Sequence, residues 1–245
     1  MMEATDELKD TERAEIETSK EETRTEGKDT QEEETKNAEE ETKTRLHIAA
    51  RIVSGIFTPL IVPTITFLIL FYFTYLNILP TAYKLTVLVM VYCFTMLIPS
   101  VGIFLLHKIN GWGVSELRDR RKRFIPYGMA LLSYAACLMT MYNMHLPRYM
   151  NGIIVSALIC IALCTLINMK WKVSTHMASC GMMVGGLLTF SLIFHFNPLG
   201  WLSGFILLSG LIGTARIIIC QHTMNEVYLG FVVGLICGMT GILYI

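Results

Sequence analysis

The chemistry-bearing residues of this chain gather near its C-terminus. Arg216, His222 and Glu226 lie in the stretch ARIIICQHTMNEVYLG, inside an otherwise apolar region. Glu226 is the only acidic residue after Asp119. An ionisable group within a membrane segment is costly, so it marks a functional site when a partner can be named. His222 is that partner, because residues four apart share a helix face. The four-residue stride continues through Gly230, Gly234 and Gly238, which would let a neighbouring helix pack closely beneath the polar pair.

Two further polar segments are candidates for the same site. One is KWKVSTH, with Lys172, Ser174, Thr175 and His176; the other is the basic run holding Arg118, Arg121 and Arg123. Arginine presents a planar fork matched to phosphate oxygens. Ser174 and Thr175 precede an apolar span, where a hydroxyl and the amides of a helix N-terminus also favour an anion. The basic run equally suits a positive-inside signal or a lipid headgroup contact. A His–Glu pair four apart can also be a plain structural contact. Its company, Arg216 and His176, tips the reading towards an anion-handling site.

The elements that must position these residues are membrane helices. Residues 1–46 carry seventeen of the twenty acids but eight of the twenty bases, a net charge of −9; the remainder has three acids against twelve bases, +9. The overall balance of zero therefore describes neither part. The acidic tail is Glu, Thr and Lys with no aromatic residue, and too little apolar surface to offset the entropy of ordering, so 1–46 is expected to be disordered. Nothing at the start resembles a secretory signal.

Residues 47–245 read as one all-α, multi-pass membrane bundle of about six to seven transmembrane helices, because several apolar runs reach the roughly 20 residues that span a bilayer. The expected spans are Ile52 to Leu76 (kinked by Pro59 and Pro63), Leu85 to Leu106, Ile125 to Asn143, Asn151 to Met169, Met177 to Phe196, Trp201 to Ile218 and Val227 to Tyr244. The segments after spans two, four and six then share one membrane face, forming one assembled site. The opposite loops carry only Lys84 and Arg148 as charges. Positive-inside logic places the site face and the tail in the cytoplasm, and the protein in the plasma (inner) membrane. The seven cysteines show no CxxC pair and read as small buried hydrophobes rather than metal ligands; His107, His145 and His195 lie at span ends and read as structural. No cofactor and no nucleic acid is expected, and protein partners cannot be named.

The pattern Arg216, five residues, His222, three residues, Glu226 resembles the third signature of the type-2 phosphatidic acid phosphatase family, of the acid phosphatase and vanadium haloperoxidase superfamily, in which Asp closes the motif. Val173-Ser174-Thr175-His176 resembles its second signature, Pro-Ser-Gly-His. The first signature, Lys, six residues, Arg-Pro, is represented only by Arg118, six residues, Ile125-Pro126, leaving Arg121 or Arg123 as alternative phosphate contacts. The resemblance implies a metal-independent, two-step phosphoryl transfer. In it His222 attacks phosphorus, Glu226 orients the imidazole, and His176 protonates the leaving oxygen. Arg216, Lys172, Ser174, Thr175 and the 118–123 cluster hold the phosphate. The implied substrate is a membrane lipid phosphate: phosphatidic acid, phosphatidylglycerol phosphate, polyprenyl diphosphate or a phosphorylated glycolipid. Two competing expectations are a lipid-phosphate binder that no longer hydrolyses and a transporter; gathering of the polar residues at one face rather than the midplane weighs against the transporter.

Overall fold

The computed structural model describes residues 41–110, 124–195 and 197–243. It divides into two units, 1–49 and 50–245. In the first, residues 41–49 are helical and exposed, with Arg45 and Glu41 paired at 2.8 Å. The expectation of disorder over residues 1–40 falls outside the described residues, whereas 41–46, assigned to the tail on composition, are helical.

The second unit is an integral-membrane, all-helical bundle. Helix α1 covers residues 50–56 of this unit, followed by α2 (Val62–Phe73), α3 (Thr81–Tyr92), α4 (Ile98–Asn110), α5 (Phe124–Asn143), α6 (Arg148–Lys170), α7 (Thr175–Phe194), α8 (Leu199–Ile218) and α9 (Met224–Leu243). Among the described residues, six spans are long and apolar enough to cross a bilayer, counting Thr81–Leu106 as one, with α5 to α9 supplying the others. Short connections make α5, α7 and α9 run one way and α6 and α8 the other. The starts of α5, α7 and α9 therefore share one end of the bundle with the ends of α6 and α8.

The first expected span is corrected. Ile52 to Leu76 is not one kinked helix but α1, a turn over residues 57–61 holding Pro59, and α2, with Pro63 in its first turn. Proline lacks an N–H and its ring clashes with the preceding turn, so it is accepted at a helix start and breaks an interior. What remains of α2 is 12 residues, about 18 Å at 1.5 Å per residue, short of the ~30 Å hydrocarbon core. Between α3 and α4 the backbone widens into one π turn, Cys93–Leu97, and the Ser133 hydroxyl of α5 donates to the Phe94 carbonyl inside it. Leu199 and Gly200, just ahead of the span expected from Trp201, already belong to α8.

Helix α7 is the axis of the bundle: 72% of its span is buried, against 22% for α8. Its partner is α9, and glycine makes the contact. A Cβ at Gly181 or Gly185 would strike the backbone carbonyl of Phe231 or Leu235, and one at Gly234 or Gly238 that of Ala178 or Met182. Small residues at four-residue spacing thus bring backbone onto backbone, as the Gly230–Gly234–Gly238 stride predicts. Gly241 makes the same approach to Ser156 on α6. Elsewhere the core is conventional, with Phe67, Phe71, Val87, Val91, Met141 and Ile154 joining α2, α3, α5 and α6.

Candidate functional site

The site lies where α6 hands over to α7 and α8 to α9. Helix α8 ends through a backbone motif: Cys220 N–H bonds the Ile217 carbonyl at 2.8 Å and Gln221 N–H that of Arg216 at 3.2 Å. Cys220 itself adopts φ 56°. These are the two bonds of a Schellman ending, whose left-handed residue is usually glycine. The sharp turn leaves Arg216 in the last turn of α8 and throws His222 back against the first turn of α9. His222 therefore precedes the helix rather than riding on it, which corrects the picture of two residues on one helical face.

The expected contact forms all the same. His222 Nδ1 lies 2.8 Å from Glu226 Oε2, and the His222 side chain is only 2% exposed. A carboxylate accepts, so Nδ1 carries the proton and Nε2 keeps the lone pair. Burial pushes the His222 imidazole down to about 4, helped by the Arg216 and Lys172 charges and opposed by the hydrogen bond to Glu226. The ring is therefore neutral at neutral pH.

The α6–α7 connection closes on this pair. Lys172 Nζ donates to the Gln221 carbonyl and stands 4.0 Å from Glu226 Oε2. Ser174 N–H donates to the Glu226 carbonyl at 3.3 Å. Ser174 is the N-cap of α7 in extended geometry, yet its hydroxyl makes no capping bond; it is fully buried without a partner. His176, in the first turn of α7, sits within electrostatic reach of Arg216 and His222 and beside the Ser54 backbone. Its Nδ1 is buried and unpartnered. Arg216 reaches in from α8, with Nη1 donating to Ser54 Oγ at 2.8 Å.

Of the residues expected from sequence, His222, Glu226, His176, Arg216, Lys172 and Ser174 come together. Thr175 is the first residue of α7 and helps wall an apolar cavity. Arg118, Arg121 and Arg123 lie outside the described residues. One participant is new, and one buried amide lies at the same end of the bundle. Ser54 anchors Arg216 from 162 positions away, a pairing nothing in the local sequence announces. Asn168, four residues before Lys172, is 1% exposed and neither atom of its amide has a partner; a polar amide late in an apolar span was the available signal.

His145 and His195 take left-handed backbone at the ends of α5 and α7, φ 53° and 50°. Cys137, Cys160, Cys164, Cys180 and Cys237 are buried, Cys93 is half-buried, and Cys220 departs from expectation in being exposed. Among the described residues no three His, Cys, Asp or Glu side chains converge to hold a metal ion. What the arrangement can do is receive an oxyanion: two imidazoles, a guanidinium and an ammonium surround one carboxylate at a helix N-terminus. The chain matches no protein-family model, no curated protein and no solved structure.

Proposed function

We propose that this protein is an integral-membrane phosphatase of the type-2 phosphatidic acid phosphatase kind, hydrolysing a lipid phosphomonoester or diphosphate. The observation that carries the reading is the 2.8 Å contact from His222 Nδ1 to Glu226 Oε2, made inside a cluster of cations. It holds the neutral imidazole in the tautomer whose Nε2 can attack. In the first step Nε2 bonds to phosphorus, the phosphorus–oxygen bond to the lipid breaks, and His176 gives a proton to the leaving oxygen. Glu226 stabilises the positive charge that develops on His222, as the third member of a catalytic triad does. In the second step water displaces the phosphoryl group from Nε2, with His176 taking the proton back. Arg216 and Lys172 neutralise charge spread over the transferring oxygens, where such catalysis is mostly positioning and electrostatics. Arg118 and Arg121 or Arg123 are assigned to the same phosphate by resemblance.

The substrate class comprises phosphatidic acid, phosphatidylglycerol phosphate, polyprenyl diphosphate and phosphorylated glycolipids. The bilayer supplies it sideways to a site at one end of the helices. The location proposed is the plasma (inner) membrane, and charge asymmetry supports a cytoplasmic site end. Exposed Cys220, two residues from His222, tests this: a membrane-impermeant maleimide should label it only after cells are permeabilised.

The decisive experiment is phosphate release by purified protein in detergent with EDTA, across a lipid-phosphate panel. Wild type should release phosphate, and His222→Ala should lose at least about a thousandfold, as removal of a nucleophile does. A second reading, a lipid-phosphate-binding protein that does not hydrolyse, draws on Val173 and Thr175 standing where the resemblance places Pro and Gly. Vanadate or lipid binding without phosphate release from any lipid would establish it.

A further inference from the structure

We infer that the cavity between α4, α5, α6 and α7 holds one acyl chain of the lipid phosphate, and that the Tyr134 hydroxyl donates to that chain's carbonyl oxygen. This rests on the phosphatase reading and narrows its substrate class from lipid phosphates in general to acylated ones. The cavity measures about 150 Å³ and is walled by Ile103, Ala130, Tyr134, Cys160, Thr175 and Met182 among others. Apolar cavities of that order stay dry and accept apolar ligands.

Position ties the cavity to the site. Its α7 wall begins at Thr175, the residue beside His176, and continues to Met182. That stretch is roughly 10 Å at the helical rise. The cavity therefore lies in the half of the bundle nearest the polar cluster, and its Thr175 wall adjoins His176 in the chain, which places it within reach of a chain whose headgroup lies at His222.

Tyr134 selects the kind of chain. It is 1% exposed, lines the cavity, and its hydroxyl has no partner. A buried phenol O–H needs an acceptor. A prenyl chain offers none, whereas an acyl ester or amide carries a carbonyl close to its headgroup. The room is for part of one chain, so a second chain stays outside among the lipids.

The test compares phosphatidic acid with its ether-linked analogue of equal chain length and with a short soluble phosphate ester. Tyr134→Phe should lower kcat/KM about fivefold to tenfold for the acyl lipid, mainly through KM, and leave the ether lipid at its wild-type value. Equal losses on both lipids, or none on either, would overturn the carbonyl contact. Ala130→Phe, which fills the cavity, should raise KM about tenfold for long-chain lipid relative to the soluble ester. A uniform loss across all three substrates would mean distortion and sink the chain pocket.

A separate readout needs no turnover. Phosphatidic acid bearing a diazirine in its acyl chain should label Ile103 or Met182 in wild type and lose that labelling in Ala130→Phe. Labelling confined to outward residues such as Leu132 and Leu163, 76% and 39% exposed, would overturn the pocket. Cavity labelling without phosphate release from any lipid would leave the pocket standing and remove the phosphatase.

Discussion

The two ends of the bundle treat buried polar groups differently. At the far end Lys84, in the first turn of α3 and 4% exposed, is fully engaged. Its ammonium donates to Asn77 O at 3.1 Å and Asn77 Oδ1 at 3.0 Å, and lies 5.0 Å from the centre of the Tyr72 ring. At the site end, Ser174 Oγ, His176 Nδ1 and both amide atoms of Asn168 are buried without partners. Asn151, at the far end, is intermediate: its amide nitrogen bonds the Leu146 carbonyl and its oxygen bonds nothing. A buried polar atom left unmatched costs about 1–3 kcal/mol. A closed cluster such as that of Lys84 stabilises the fold, while an open one leaves polar atoms with bonding capacity to spare. Charge and burial do not separate the two ends; satisfaction does.

Four substitutions or conditions sharpen that contrast. The largest effect is expected from Glu226→Gln, which keeps shape but removes the charge that holds the His222 tautomer. Phosphate release should fall by about ten-thousandfold, the size of loss seen for the orienting member of a triad, with little change in thermal stability. Lys84→Met should do the reverse. It should lower stability by about 2 kcal/mol, since the charge-assisted hydrogen bonds from Lys84 to Asn77 are lost, and leave kcat/KM within about twofold; a tenfold kinetic loss would erase the distinction between the ends.

The third condition is pH. His222 has a folded value of about 4, below the ~6.5 of an unfolded histidine, so between these values the unfolded chain binds more protons. Stability from this group is full above pH 6.5 and is lost as pH falls towards 4. Melting in detergent should show that slope in wild type and a shallower one in His222→Gln. The smallest effect is Ser174→Ala, which deletes an unpartnered hydroxyl. Its melting temperature should match or exceed wild type, while vanadate binding weakens about threefold to tenfold; a clear loss of stability would show that the hydroxyl was satisfied after all.

Much of this arrangement is legible in the sequence, for identifiable reasons. Hydropathy placed α5 to α9 to within a few residues, because a bilayer-length apolar run has few alternatives. The His222–Glu226 pair and the Gly230–Gly234–Gly238 stride are local patterns, and local patterns survive folding. What escaped is non-local or conformational. Ser54 meets Arg216 only through tertiary packing. Cys220 occupies a left-handed position that glycine normally marks, so the turn before His222 carried no signal. Lys84 looked like a loop charge and proved to be a buried anchor. Pro59 and Pro63 announced a disturbance in the first span, yet whether two prolines bend a helix or end it depends on what packs against the break.

The glycine contact between α7 and α9 bears on how such a site can move. Where carbonyl oxygens press directly on the facing backbone, no side chain stands between the helices to change rotamer. Sliding or rolling one past the other would drive atoms into each other from the first ångström. His176 on α7 and Glu226 on α9, the partner of His222, are thus mounted on a single stiff strut. Under the phosphatase proposal, an opening that admits a lipid must come from the other walls, where α2 is short and α4 follows a widened turn. In mechanical terms the half of the bundle that carries the candidate site is the anvil, and the half built from α2 to α5 is the hinge.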